Sequence, residues 1–203
     1  MINAIVLDFG GVIVRTEDHV GRRELEEKYQ LSPGGAHNLV FYSSIADSAT
    51  IGKADPEEIW EHVADELSLS HHELGEFKES FWAGDNIDYE LIQFLKFCRP
   101  KYKTAILSNA WKNLRKVLEE TYNIVEGQNV DHILVSAELG VAKPDPEIYK
   151  ILAETLNTPF HEILFVDDFI ENIQAAKLLG IQTIHYQPGL DLINEIKSRL
   201  ERS

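Results

Sequence analysis

The chain is poor in cysteine: Cys98 stands alone among 203 residues. A single thiol excludes a disulfide within the chain, and such low usage is typical of proteins in a reducing compartment. Because Cys98 ends an apolar helical run over residues 91–98, we expect a buried structural thiol rather than a nucleophile. The sequence therefore predicts a cytoplasmic protein that folds without disulfide bonds.

Basic residues are also scarce. Lysine and arginine number 19 against 34 aspartates and glutamates, which gives a net charge of -15. Proteins that bind the phosphate backbone of nucleic acids present a basic patch, so we expect no nucleic-acid partner. No apolar run approaches the ~18 residues of a membrane span, and residues 1–3 lack the positive charge of a secretory signal. We expect no membrane partner either, and no pattern indicates an oligomeric state.

The stretch over residues 4–14 combines an apolar run with one carboxylate and two glycines. Its β-branched and large apolar residues predict a strand buried on both faces, as in a parallel sheet, with Asp8 at its end. Ligands of open parallel sheets bind outside the carboxyl ends of the strands, and Gly10 and Gly11 would allow a tight turn close to a ligand. The same residues would also suit a helix cap followed by a turn, so this stretch alone leaves both interpretations open.

The rest of the chain is first helical and then alternating. Residues 16–86 carry helix-start signals and no strand signal, with predicted helices that include 17–31 and 36–46. Four short apolar strands then alternate with helices, which implies βαβ units. These strands are predicted at residues 103–107, 131–135, 162–166 and 181–186. We therefore predict an α/β fold whose parallel-sheet core comprises residues 1–15 and 87–203, with residues 16–86 as an inserted helical cap.

Polar residues follow three of the predicted strands, and one lysine lies in a loop between two of them. They are Asp8, Ser108, Asn109, Asp167, Asp168 and Lys143. Neighbouring parallel strands would bring this set to one rim, where it suits phosphoryl transfer. Asp8 would be the nucleophile, Asp8 and Asp168 would hold Mg²⁺, and Ser108, Asn109 and Lys143 would hold phosphoryl oxygens. Each residue taken alone also suits a cap, a turn or a solvated surface.

In this order and spacing the chain resembles the haloacid dehalogenase-like hydrolase superfamily over essentially its whole length. The resemblance rests on Leu7-Asp8-Phe9-Gly10-Gly11-Val12, Leu107-Ser108-Asn109, Lys143-Pro144-Asp145, and Val166-Asp167-Asp168 through Asn172. It implies a Rossmann-like core with a mobile helical cap, and Mg²⁺ held by Asp8, the Gly10 carbonyl and Asp168. It also implies that Phe9 and Gly10 contact the phosphoryl group, that Lys143 acts in catalysis beside Asp8, and that Asp167 and Asn172 support the site.

One position departs from the pattern of the superfamily. Most of its phosphatases carry a second Asp two residues after the nucleophile, as general acid and base, and here that position is Gly10. A branch that resembles bacterial sugar-1-phosphate phosphatases carries a similar motif, and a good leaving group needs little protonation. We therefore expect a magnesium-dependent phosphohydrolase of a small phosphorylated metabolite, such as a sugar phosphate, that works through an aspartyl-phosphate. Two alternatives stay open: a metal-independent 2-haloacid dehalogenase, and a non-catalytic descendant that binds a phosphorylated ligand or a partner.

In this scheme residues of the predicted cap would shape the substrate pocket. The candidates are Arg15, His19, Arg22, Arg23, Phe41 and Tyr42. The predicted aromatic core of the cap comprises Trp60, Phe77, Phe81 and Trp82. Hinges are expected near residues 14–16 and 84–88, so that closure would exclude water from the site. Glu17, Asp18 and His19 are candidates for the missing acid and base, although each also suits an exposed helix surface.

Overall fold

A computed structural model describes residues 1–202 of the chain. Five parallel strands form its central sheet, in the order β5-β4-β1-β6-β7, and two short antiparallel strands, β2 and β3, form a separate ribbon. The strands are β1 (Ala4–Leu7), β2 (Val14–Thr16), β3 (Asp85–Ile87), β4 (Lys103–Ser108), β5 (His132–Val135), β6 (Ile163–Asp167) and β7 (Gln182–His185). The all-parallel order confirms the predicted α/β class, and it places β1 at the centre of the sheet.

Helices account for most of the remaining chain. They are α1 (Val20–Lys28), α2 (Gly35–Phe41), α3 (Ser44–Thr50), α4 (Pro56–Leu67), α5 (His71–Trp82), α6 (Tyr89–Cys98), α7 (Leu114–Glu120), α8 (Ser136–Leu139), α9 (Pro146–Leu156), α10 (Ile170–Leu178) and α11 (Leu192–Arg202), with a 3₁₀ turn at Phe160–Glu162. Cys98 is buried at the end of α6, as predicted, and burial raises the pKa of its thiol. Within residues 1–202, no helix combines the length and the apolar character that crossing a bilayer requires.

The sheet is covered by helices on both faces because successive side chains of a strand point to opposite sides. In β1, Ile5 and Leu7 pack with α6, α7 and α11, whereas Ala4 and Val6 pack with α9 and α10. All four side chains are fully buried. This burial on both faces explains why β1 is a continuous apolar run in the sequence.

Five helices, α1 to α5, lie between β2 and β3 in the chain and share an apolar cluster of their own. Trp60, Phe77 and Phe81 are buried in this cluster, as expected, whereas Trp82 remains 39% exposed. Two capping boxes start α4 and α5, with Asp55 and Ser70 as the N-cap residues. In a capping box, the side chains of the N-cap residue and of the residue three positions later bind backbone N–H groups that have no partner within the helix. This signal is local in the sequence, which is why both helix starts were predicted correctly.

Three local expectations were wrong. Residues 16–86 are not wholly helical, since Thr16 and Asp85 belong to the β2–β3 ribbon, whose three-residue strands are too short to show a periodicity. The helix predicted over 36–46 is two helices, because the Ser43 side chain accepts a hydrogen bond from the Ala46 N–H and starts α3. The helix predicted over 17–31 begins only at Val20, whose N–H is bound by the Asp18 carboxylate.

Candidate active site

The carboxyl end of the central strand carries Asp8. Leu7 is level with Ile106 of β4 and with Val166 of β6, so Asp8, one residue further, lies between the ends of these two strands. Ser108 ends β4 and Asp167 ends β6, and both side chains are buried. The structure thus brings together three of the strand-end residues that the sequence singled out.

Lys143 is the cation at the centre of this group, and its side chain is fully buried. Its Nζ lies 2.9 Å from Asp8 Oδ2, 2.7 Å from Asp167 Oδ2 and 3.0 Å from the Leu107 carbonyl. Burial alone would lower the pKa of Lys143, but the Asp8 and Asp167 carboxylates outweigh it and raise that pKa above its ordinary value. The ammonium is therefore protonated, and these three acceptors match its three N–H donors.

Asn109 holds the loop that carries Lys143. Its Oδ1 accepts the Lys143 N–H at 2.8 Å, and its Nδ2 donates to the Lys143 carbonyl at 2.8 Å. The sequence proposed that this side chain binds a phosphoryl oxygen. The structure engages both ends of the carboxamide in placing Lys143, and it leaves one N–H of Nδ2 for a ligand such as a phosphoryl oxygen. The spacing of the residues carried no signal for this arrangement.

Carboxylate oxygens of Asp8, Asp167 and Asp168 lie within 4.8 Å of one another. Both oxygens of Asp167 are already bound, by Lys143, by the Asn172 side chain and by the Phe169 N–H. By contrast, Asp168 Oδ1 is buried and has no hydrogen-bond partner among residues 1–202. Hard carboxylate oxygens with one buried atom unpaired suit a divalent cation such as Mg²⁺. Asp8 and Asp168 could therefore hold such a cation, while Asp167 and Asn172 bind each other beside them.

Burial raises the pKa of the Asp8 carboxyl to about 8, against the lowering effect of Lys143. Burial is also the largest cause of the raised pKa of Asp168, and the neighbouring Asp167 adds to it. Like charges brought together out of water disfavour ionisation, and a bound divalent cation reverses that effect. A cation would therefore favour the carboxylate form that a nucleophile needs.

The turn after Asp8 contains two glycines with different surroundings. Gly11 has a φ of +75°, and a Cβ built on it would lie 2.1 Å from Asp168 Oδ2. A Cβ on Gly10 would meet no described atom within 4 Å. Phe9 is buried, with its ring centroid 6.4 Å from that of Tyr122, and its N–H donates to Asp8 Oδ1.

A cavity of about 1040 Å³ adjoins this site between α1–α2 and the loops after β1, β6 and β7. Four predicted pocket residues line it, namely Arg15, His19, Arg22 and Arg23, together with Glu17. Asp18 does not line it, Tyr42 is 58% exposed, and Phe41 packs instead against Phe81, Trp82 and Trp111.

His37 also lines the cavity, and the sequence analysis missed it. Its Nδ1 lies 3.2 Å from a guanidinium nitrogen of Arg22. Because a guanidinium only donates, Nδ1 accepts and Nε2 carries the proton. Burial, and then the Arg22 charge, lower the pKa of His37 and favour the neutral ring.

The comparison with known protein families matches residues 2–180 to the haloacid dehalogenase-like hydrolases. The chain belongs to this family. Among curated relatives, it is 27% identical over 202 residues to a D-ribitol-5-phosphate phosphatase of Bacteroides thetaiotaomicron, with 97% of each protein covered. It is also 27% identical over 128 residues to the bifunctional epoxide hydrolase 2 of Rattus norvegicus, a match that spans 61% of this chain and 23% of the rat protein.

Solved structures of this hydrolase family share the fold. A HAD family enzyme from Bacteroides thetaiotaomicron, in complex with magnesium and inorganic phosphate, superposes with a TM-score of 0.77 at 21% identity, over 94% of this chain and 97% of that one. An L-2-haloacid dehalogenase from Xanthobacter autotrophicus superposes with a TM-score of 0.64 at 22% identity, over 98% and 83%. These matches confirm the Rossmann-like fold that the sequence resemblance implied.

Proposed function

We propose that this hydrolase is a magnesium-dependent phosphohydrolase of a small phosphorylated metabolite and that it works through an aspartyl-phosphate on Asp8. The observation that carries the proposal is the buried group in which Lys143 lies 2.9 Å from Asp8 while Asp168 keeps an unpaired buried oxygen. The D-ribitol-5-phosphate phosphatase, similar over 97% of the chain, supports it. A metal-independent dehalogenase would not need the unpaired Asp168 carboxylate oxygen, because it binds no cation.

In this mechanism an oxygen of the Asp8 carboxylate attacks phosphorus, and the bond from phosphorus to the ester oxygen breaks. The leaving oxygen takes a proton from water, and a second water then hydrolyses the acyl phosphate, which releases inorganic phosphate and returns the Asp8 carboxylate. Lys143 neutralises charge beside the nucleophile, while Ser108, Asn109 and the backbone of Phe9 and Gly10 face the phosphoryl group. Bound Mg²⁺, held by Asp8, Asp168 and the Gly10 carbonyl, would supply further charge stabilisation.

The leaving group has to depart without an acid at position 10. General acid catalysis is worth roughly 100- to 10,000-fold, and least to a leaving group that is already stable as an anion. We therefore propose a substrate such as an anomeric sugar phosphate. The cavity wall supports a hydroxylated leaving group, because Arg22 and Arg23 supply donors while Glu17 and Glu26 supply acceptors.

We further propose that residues 16–86 act as the cap and that residues 1–15 and 87–203 act as the core. The separate apolar cluster of α1 to α5, and the β2–β3 ribbon through which the chain enters and leaves them, support this division. Motion about the ribbon would open and close the cavity over Asp8.

The test is hydrolysis of p-nitrophenyl phosphate with and without Mg²⁺, by the wild type, by Asp8→Asn and by the exposed control Asp65→Asn. We expect activity that needs Mg²⁺, survives in Asp65→Asn and falls by about 1,000-fold or more in Asp8→Asn, as for loss of a nucleophile. Equal activity of Asp8→Asn would contradict the proposal. So would hydrolysis of a 2-haloacid that persists in a chelator.

A further inference from the structure

Ser136 is a fully buried hydroxyl at the start of α8, and the phosphohydrolase scheme gives it no role. Its Oγ accepts the Ala110 N–H at 2.9 Å, and it lies 2.6 Å from the Thr50 carbonyl and 3.2 Å from the Ala110 carbonyl. A hydroxyl has one hydrogen, so the shorter contact identifies Thr50 as the main acceptor. One side chain thus joins the last residue of α3 to the segment that follows β4.

Other contacts join the same two parts of the molecule. Gly52 lies so close to α8 that a Cβ on it would be 2.2 Å from the Ala137 carbonyl. Lys112 Nζ lies 3.3 Å from Asp55 Oδ1. The Trp111 ring stacks on Phe41 with a centroid distance of 5.7 Å. We call these contacts, together with those of Ser136, the docking junction.

The docking junction is continuous with the candidate active site. Ala110, bound by Ser136, follows Asn109 directly in the chain. Asn109 in turn holds both backbone groups of Lys143, whose ammonium lies 2.9 Å from Asp8. A shift of α3 at Thr50 therefore has a short path, through partly buried hydrogen bonds and one peptide bond, to the cation beside the nucleophile.

We propose that Ser136 is a positioning residue, which couples the docking of α1 to α5 to the placement of Asn109 and Lys143. This inference rests on the proposed function, because it assumes that Asn109 faces the phosphoryl group and that Lys143 neutralises charge beside the nucleophile. The docking junction anchors α1 to α5 to the segments that follow β4 and β5. The cavity lies on the other side, where Asp168 and Tyr186, which follow β6 and β7, line it. Substrate enters on that second side.

The test compares Ser136→Ala with Thr183→Val. Thr183 is also a buried hydroxyl of the sheet region, but its Oγ1 has no hydrogen-bond partner among residues 1–202. Hydrogen exchange is followed at the Ala110 amide and over residues 44–52. Binding of inorganic phosphate, in saturating Mg²⁺, reports the phosphoryl site without requiring turnover.

We expect Ser136→Ala to speed exchange at Ala110 and over residues 44–52 by up to about tenfold, the upper end of what the loss of one hydrogen bond gives. We expect its phosphate affinity to fall by a similar factor of about ten, and its Mg²⁺ affinity to fall by less, because only one of the two proposed carboxylate ligands, Asp8, contacts Lys143. Thr183→Val should match the wild type in every readout.

Faster exchange throughout the sheet, or unchanged phosphate affinity beside faster local exchange, would overturn the coupling. So would an equal effect of Thr183→Val. If the wild type binds phosphate and Mg²⁺ but hydrolyses no phosphate ester, the proposed function is contradicted. The coupling would still be tested, because hydrogen exchange and phosphate binding do not require turnover.

Discussion

The two adjacent glycines in the turn after β1 differ in whether the backbone requires a glycine. Gly11 has a positive φ and lies against the Asp168 carboxylate, so the turn and the placement of this proposed metal ligand both depend on it. Gly10 has neither a positive φ nor a neighbour that a Cβ would meet. A side chain would fit at this position, so the backbone does not require glycine here. The glycine matters because it leaves out the carboxyl group that most phosphatases of the superfamily carry at this position.

Gly10→Asp is therefore expected to fold normally and to supply the absent general acid. We expect hydrolysis of an alkyl phosphate such as glycerol 3-phosphate to rise by about 10- to 100-fold relative to p-nitrophenyl phosphate, at the lower end of the range for acid catalysis. The matched control is Gly10→Asn, which has the same size and no acidic proton. An equal gain in both variants, or none in either, would show that leaving-group protonation is supplied elsewhere.

Gly11→Ala should act on the metal site. The new Cβ would push the Asp168 carboxylate aside, and the left-handed backbone would add strain of roughly 1–2 kcal/mol. We expect Mg²⁺ affinity, measured by calorimetry, to fall by about tenfold or more while the protein stays folded, as for loss of one properly placed ligand. Gly10→Ala, with open space around it, should leave the affinity unchanged.

At the scale of elements, the β2–β3 ribbon was the part that the sequence could not predict. Its strands have three residues each, and they include Asp85 and Asn86, residue types that are depleted in strands. The ribbon is held by long-range side-chain contacts: Asp85 Oδ1 accepts from Thr16 Oγ1 at 2.6 Å and from Arg22 at 3.0 Å. Helices α4 and α5, whose signals are local capping boxes, were predicted correctly for the opposite reason.

Asp85→Asn should weaken the ribbon. Both Arg22 and Asp85 are about nine-tenths buried, so the variant leaves a buried guanidinium without its anion. We expect a loss of about 3 kcal/mol in the free energy of unfolding, measured in urea. Asp65→Asn, on the exposed face of α4, should lose less than about 0.5 kcal/mol. Equal stability of the two variants would show that the ion pair contributes nothing to the ribbon.

At the scale of the whole molecule, the sheet order explains how far the sequence analysis could go. Residues as distant as Asp8, Ser108 and Asp167 were predicted to meet because parallel neighbouring strands share a carboxyl edge. The division of tasks among them was not predictable, since it depends on side-chain geometry. Asn109 places Lys143, and hydrogen bonds from the described residues occupy both oxygens of Asp167 but not Oδ1 of Asp168. Neither feature has a signature in spacing or composition.

Magnesium should stabilise the whole chain. At a free concentration about 100 times its Kd, it is expected to add about 2.7 kcal/mol, or roughly 5–10 °C in Tm for a protein of this size. Asp168→Asn should abolish the shift, yet melt higher than the wild type in a chelator. The raised pKa of Asp168 means that its ionisation opposes folding as pH rises above the ordinary value for Asp. A magnesium-induced shift retained in this variant would contradict the assignment of Asp168 as a ligand.

The carboxylates that surround Lys143 determine the order in which metal and substrate should bind. Asp8, Asp167 and Asp168, when ionised, place three negative charges around its single positive one, so the site carries two negative charges in excess. A phosphate ester that arrives first meets repulsion, whereas a divalent cation that arrives first makes the site neutral. Addition should therefore be ordered, cation before ester, and raising the ester concentration should not relieve a shortage of metal.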